Sequence, residues 1–153
     1  MAPASCTTRA HQQKARPFRG RQSPSMADRI ETFVESMMIR PTDRVLEIGC
    51  GHGVAATLIC ASLSAGSYLA VDRSRKMVEA AARRNRAFVD AGIARFMQST
   101  LESLDLGEQR FDKVLAMRVR LFHDQPEQAE QLARRWLAPS GKLFVQYDEP
   151  ERR

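Results

Sequence analysis

Residues 45–54 read VLEIGCGHGV: an apolar run broken only by Glu47, followed by glycine at positions 49, 51 and 53. Four residues of this kind, 45–48, predict a short strand buried on both faces. The next ten, 54–63, have the apolar content and length of a helix packed on a sheet. Glycine at every second place between them lets the backbone turn sharply and approach a ligand with no Cβ in the way. The helix that follows presents unpaired N–H groups, which suit an anionic group such as a phosphate or a carboxylate.

Outward from that loop the pattern repeats. Apolar residues at 30, 33, 34, 37 and 38 predict an amphipathic helix over about 27–39, ended by Pro41-Thr42-Asp43. Ser64-Ala65-Gly66-Ser67 closes the second helix. Strands are expected at 68–71, 94–97, 111–117 and 142–147, with helices at 74–91 and 126–137 between them. Strands alternating with helices mean right-handed crossovers and a parallel sheet, hence an α/β domain. In such a sheet ligands bind beyond the carboxyl ends of the strands. Asp72 stands at the tip of the second strand, where its carboxylate can accept two hydrogen bonds from a ribose diol.

Charge divides the chain unevenly. The formal net charge is +6, but Arg9, Lys14, Arg16, Arg19 and Arg21 lie in a stretch up to residue 27 that has no acid, leaving 19 cations against 18 acids in the rest. Residues 1–26, rich in Pro, Ser, Gln and Arg, are expected to be a disordered basic tail, with the domain over 27–153. A transit-type presequence, a nucleic-acid-binding arm and an inconsequential extension all suit the tail, and Met26 could itself be the start. There is no signal-peptide h-region and no apolar run of membrane-spanning length, so a soluble protein is expected. Cys6, Cys50 and Cys60 have no metal-ligand spacing and suit a reducing, cytoplasmic compartment. The arginines of the second sheet helix, interleaved with no stacking aromatics, read as a solvated face, so nucleic acid is disfavoured as a partner.

Two cofactor classes suit a glycine loop followed by an acid. The dinucleotide fingerprint G-x-G-x-x-G wants glycine or alanine at position 54, where this chain has Val54. The pattern E-x-G-x-G-x-G resembles instead the first motif of the class I S-adenosylmethionine-dependent methyltransferases. YLAVDRSRKMVEAAARRN is similar to their second-strand motif, and FDKVLAMRVRLFHDQPEQAEQLARRWLAPSGKLFV to their fourth strand, following helix and turn into the fifth. The likeness covers about residues 27–148.

That resemblance implies a three-layer αβα Rossmann-like sheet of strand order 3-2-1-4-5, here lacking the usual C-terminal antiparallel strands. It implies S-adenosylmethionine as cofactor, with Glu47, Gly49, Cys50, Gly51 and Gly53 at its methionine end. Asp72 is expected on the ribose with Arg73 and Met77 beside it, Ser99, Thr100 and Leu101 near the adenine, and Met117 and Arg118 near the reacting centre. Many members carry an aspartate where Ser99 stands. No N/D-P-P-Y/F follows the fourth strand, which disfavours methylation of a nucleobase or glutamine amide. His123, Asp124 and Tyr147 are candidate bases at the mouth, with His123 also readable as opening the helix after strand four and Asp124 as an N-cap before Pro126. Cations at Arg118 and Arg120 are disfavoured beside a sulfonium, so they read either as solvated surface arginines that point away or as partners of an anionic small-molecule acceptor. The short C-terminus leaves the fifth strand as an exposed edge that invites a homodimer or a partner protein. An active methyltransferase and a non-catalytic cofactor-binding or partner-binding module are both compatible with these residues.

Overall fold

The computed structural model describes residues 23–147. The tail expectation therefore lies, for residues 1–22, outside the described residues, as do Cys6 and residues 148–153. Five parallel strands form one sheet in the order β3-β2-β1-β4-β5, the expected order. They are β1 (Arg44–Ile48), β2 (Ser67–Asp72), β3 (Ala94–Gln98), β4 (Phe111–Met117) and β5 (Leu137–Gln146). Helices α1 (Met26–Ser36), α2 (Val54–Ser62), α3 (Arg75–Arg84) and α4 (Arg86–Asp90) occur in the first half, with α5 (Arg120–Asp124) and α6 (Pro126–Arg134) between β4 and β5.

Strand alternation sorts the core into two layers. Val45, Tyr68, Ala70 and Leu115 pack with α1, α2 and α3 on one face. Leu46, Ile48, Leu69, Val71, Val114 and Ala116 pack with Phe122, Ala129 and Ala133 of α5 and α6 on the other. Central β1 is buried from Val45 to Ile48, which is why its sequence is apolar on both faces apart from Glu47 rather than alternating.

Several boundaries differ from the sequence expectation; α6, for one, ends at Arg134 rather than 137, because Leu137 already begins β5, and others have a local reason too. The first helix begins at Met26: Ser25 caps α1 in a reciprocal capping box with Asp28. The same helix stops at Ser36, because Met37 is its C-cap and Met38 turns into the left-handed region at φ 50°. The helix expected over 74–91 is two, parted at Asn85. Its buried side chain donates to the carbonyls of Gly53 (3.0 Å) and Ala81 (2.9 Å) and accepts from Thr57 Oγ1 (2.7 Å), which anchors the bend to α2. Finally, β5 begins at Leu137 rather than 142. Phe111 pairs with Leu137 and Lys113 with Lys142, so the strand bulges around Pro139, an imino acid tolerated there because β5 is an edge.

A candidate cofactor cavity at the carboxyl ends of the strands

A cavity of about 600 Å³ opens where β1, β2 and β4 end. That volume lies within the range of small-molecule sites, and its position is the one an open parallel sheet favours. Of the residues singled out from sequence, Gly49, Gly51, Asp72 and Arg73 line one part of it. Ser99, Thr100 and Leu101, from the loop after β3, line another, and Met117 and Arg118 at the end of β4 close the third.

The loop is tied to β2 before any ligand arrives. The N–H groups of Gly49 and Cys50 both donate to the carbonyl of Val71, at 2.8 and 3.2 Å. Gly51 N–H donates to Asp72 Oδ2 (3.0 Å), while Ser74 N–H donates to Oδ1 (2.9 Å). Each carboxylate oxygen keeps a further lone pair for a ligand hydroxyl. Ser99 N–H donates to the Asp72 carbonyl at 3.0 Å, so the same residue fixes the start of the loop after β3. At Gly51 a Cβ would meet nothing within 4 Å, which marks open space beside the cavity.

Other expected residues stand elsewhere. Glu47 does not line the cavity: strand alternation turns it to the α1–α2 face, where it is buried and accepts a hydrogen bond from the Tyr68 hydroxyl. Gly53 packs against α3, and Met77 lends its N–H to Ser74 Oγ (3.3 Å) as part of the α3 cap. Cys50 is buried, and burial foremost, with the charges of Glu47 and Asp72, pushes its thiol up to about 12, so it stays neutral.

His123 and Tyr147 are likewise outside the cavity lining. Their rings stack on each other with centroids 4.4 Å apart, and His123 Nδ1 lies 2.9 Å from Asp124 Oδ1. His123 lies in the last turn of α5 rather than opening it, since the helix runs from Arg120 to Asp124. Asp124 does not cap α6, whose N-cap is Gln125; it accepts instead from Arg120 (3.0 Å) within its own helix. Hydrogen bonds from His123 and then Arg120 hold its carboxyl below the usual carboxylate range.

Sequence reasoning missed the apolar lining residues Ile48, Val71, Val119 and Leu121, together with Glu102. Strand-end positions could have disclosed the first two. It missed also the Glu47–Tyr68 pair, which joins residues 21 apart on neighbouring strands.

Burial pushes the Glu47 carboxyl up to about 8, partly offset by the Tyr68 hydroxyl and reinforced by the charge of Asp72. The folded state thus keeps this proton to about pH 8, whereas the unfolded chain releases it near 4.5. Between those values the folded state binds more protons, so stability present at low pH is lost as pH rises, by up to about 1.4 kcal/mol per pH unit. Urea unfolding of Glu47→Gln at pH 5, 6, 7 and 8 is expected to be flatter with pH than the parent. A parallel pair of curves would mean that Glu47 is ionised in the fold.

The geometry agrees with what the chain is similar to. Residues 45–141 match the family model described as a methyltransferase domain. A highly reducing polyketide synthase of Gibberella moniliformis is 34% identical over 84% of this chain and 5% of its own length. Among solved structures, the CcbJ methyltransferase from Streptomyces caelestis is 25% identical with a TM-score of 0.65, covering 85% of this chain and 56% of that one. Coclaurine N-methyltransferase, bound to N-methylheliamine and S-adenosylhomocysteine, has the same fold: 18% identity and a TM-score of 0.68 over 82% of this chain and 38% of that one. The chain spans less than half the length of the curated relatives it matches. With its matched segment running from the first strand into the fifth, and its cavity where the glycine loop and Asp72 meet, this chain belongs to the methyltransferase-domain family, whose cofactor is S-adenosylmethionine.

Proposed function

We propose that the domain transfers a methyl group from S-adenosylmethionine to a small anionic acceptor that enters beside Met117 and Arg118. The carrying observation is the composition of the cavity just described: a carboxylate with spare lone pairs at the end of β2, an open glycine at Gly51, and a cation at the end of β4. These residues fit the cofactor, with Asp72 on the ribose diol and the loop after β3 beside the base.

When bound, the cofactor would supply a methyl carbon to the acceptor's lone pair, the carbon–sulfur electron pair leaving with sulfur as a neutral thioether. The chain's own part is positioning and exclusion of water. Ile48, Val71, Leu101 and Leu121 give the cavity apolar walls. Holding nucleophile and methyl in line contributes about 7 to 11 kcal/mol, and no side-chain base is strictly required. His123 and Tyr147 stand outside the lining, so neither touches a molecule held in the cavity. The test is production of S-adenosylhomocysteine from the full chain, S-adenosylmethionine and matched acidic and neutral acceptors. Acceptor-dependent product favouring the acids supports the reading, and product from neutral acceptors alone overturns the anionic part.

A specific feature favours a second reading, a partner-binding module with the methyltransferase fold. β5 pairs only with β4 among the described residues, and Val145 on it is 41% exposed. A free edge of this kind pairs readily with another chain, either a second copy or a partner protein. Light scattering of the full chain is expected to show a dimer that Val145→Lys shifts towards monomer, since a lysine on an edge opposes pairing. Unchanged monomer in both would count against a self-pairing edge. Among the described residues no helix is long and apolar enough to cross a membrane. Free, buried Cys50 and Cys60 suit a reducing, cytoplasmic setting.

A further inference from the structure

We propose that Arg118 selects the acceptor: its guanidinium receives a carboxylate carried by the molecule to be methylated, while the cofactor is held by Asp72 and the glycine loop. The inference rests on the methyltransferase reading above and assigns the acceptor's charged group to one residue.

Backbone geometry comes first. Arg118 has φ 56°, in the left-handed region that residues other than glycine, asparagine and aspartate seldom occupy. Such a conformation persists only where the surroundings impose it. Arg118 N–H donates to the carbonyl of Gln146, the last residue of β5, at 2.7 Å. On the other side Val119 lies so close to Gly49 that a Cβ there would stand 2.5 Å from its Cγ2. The chain is thus held from both sides as it leaves β4, and the turn sets Arg118 on the cavity wall.

Charge comes second. Arg40, Arg44, Arg75, Arg86, Arg120 and Arg134 each pair with a carboxylate. Arg118 has no carboxylate partner among the described residues; its Nη1 lies 3.4 Å from Met26 Sδ, a weak acceptor. Arg73, the cavity's other cation without such a partner, stands beside Asp72 at the end of β2, on the ribose side. A cation at the β4 side with no carboxylate partner among the described residues is repelled by a bound sulfonium, and an acceptor bringing one negative charge removes that repulsion. A carboxylate matches the planar guanidinium fork with two parallel hydrogen bonds and cancels one charge.

The test uses the full chain, labelled with nitrogen-15, titrated first with S-adenosylhomocysteine and then with benzoate or the neutral benzamide. The Arg118 Nε–H resonance is expected to move with millimolar benzoate and not with benzamide. Arg118→Asn, chosen because asparagine tolerates the left-handed conformation, is expected to weaken benzoate about tenfold or more while leaving S-adenosylhomocysteine affinity within about twofold. Equal responses to benzoate and benzamide overturn the inference, and so does a loss of S-adenosylhomocysteine affinity in Arg118→Asn as large as the loss for benzoate. In either case the cofactor reading stands. Failure of the parent chain to bind S-adenosylhomocysteine overturns both.

Discussion

Asp72→Ala is expected to weaken S-adenosylhomocysteine binding about a hundredfold or more. Two hydroxyls of a ribose diol donating to an ionised carboxylate contribute about 1.5 to 3 kcal/mol each. Their joint loss therefore covers two to four powers of ten in affinity. A second consequence is local. The same carboxylate accepts from Gly51 N–H at 3.0 Å and Ser74 N–H at 2.9 Å, so alanine also frees the glycine loop from the start of α3. Asp72→Asn separates the two roles, because it keeps the shape but puts an NH₂ where one of those donors or hydroxyls must point. Calorimetric titration of parent, Asp72→Asn and Asp72→Ala is expected to rank them in that order. Binding by Asp72→Ala within threefold of the parent would place the ribose elsewhere.

Strand-scale features were the legible ones, and the reason is burial. Val45, Leu46 and Ile48 are apolar because β1 is covered on both faces, and that run together with the glycines places the loop without further information. Asp72, Ser99 and Arg118 follow because strand ends converge on one rim of a parallel sheet. What could not be read depends on partners far apart in the chain. Glu47 looks from its motif like a ligand-facing acid, yet which side of β1 it takes, and that Tyr68 awaits it there, is a matter of register between β1 and β2. Asn85 sits within a helical pattern, and only its contact with Gly53, 32 residues earlier, explains why the helix breaks there. His123 and Tyr147 fell at strand and helix ends near the expected mouth, but side-chain direction turned them to each other.

The three glycines at 49, 51 and 53 resemble one motif, and the structure separates their duties. Gly53→Ala is expected to destabilise the fold by about 2 to 5 kcal/mol. Its φ of 78° costs an alanine about 1 to 2 kcal/mol. The added Cβ would stand 2.7 Å from Asn85 Nδ2, 2.9 Å from Ala81 Cβ and 3.0 Å from Ala81 Cα. Overpacking of this kind costs about 1 to 3 kcal/mol more. Relief by moving α3 away would break the Asn85 hydrogen bonds that close α2 against α3, leaving a buried amide unsatisfied. Gly51→Ala carries the same kind of backbone strain at φ 51° but no clash, since nothing lies within 4 Å of its Cβ. Its expected stability loss is therefore about 1 to 2 kcal/mol, whereas its methyl occupies space beside the cavity and should weaken S-adenosylhomocysteine more than Gly53→Ala does in the fraction that remains folded. Urea unfolding and calorimetric titration of both variants check this directly. Equal unfolding midpoints would refute the division, because they would mean that Gly53 answers to its backbone angle alone and not to the helix packed against it.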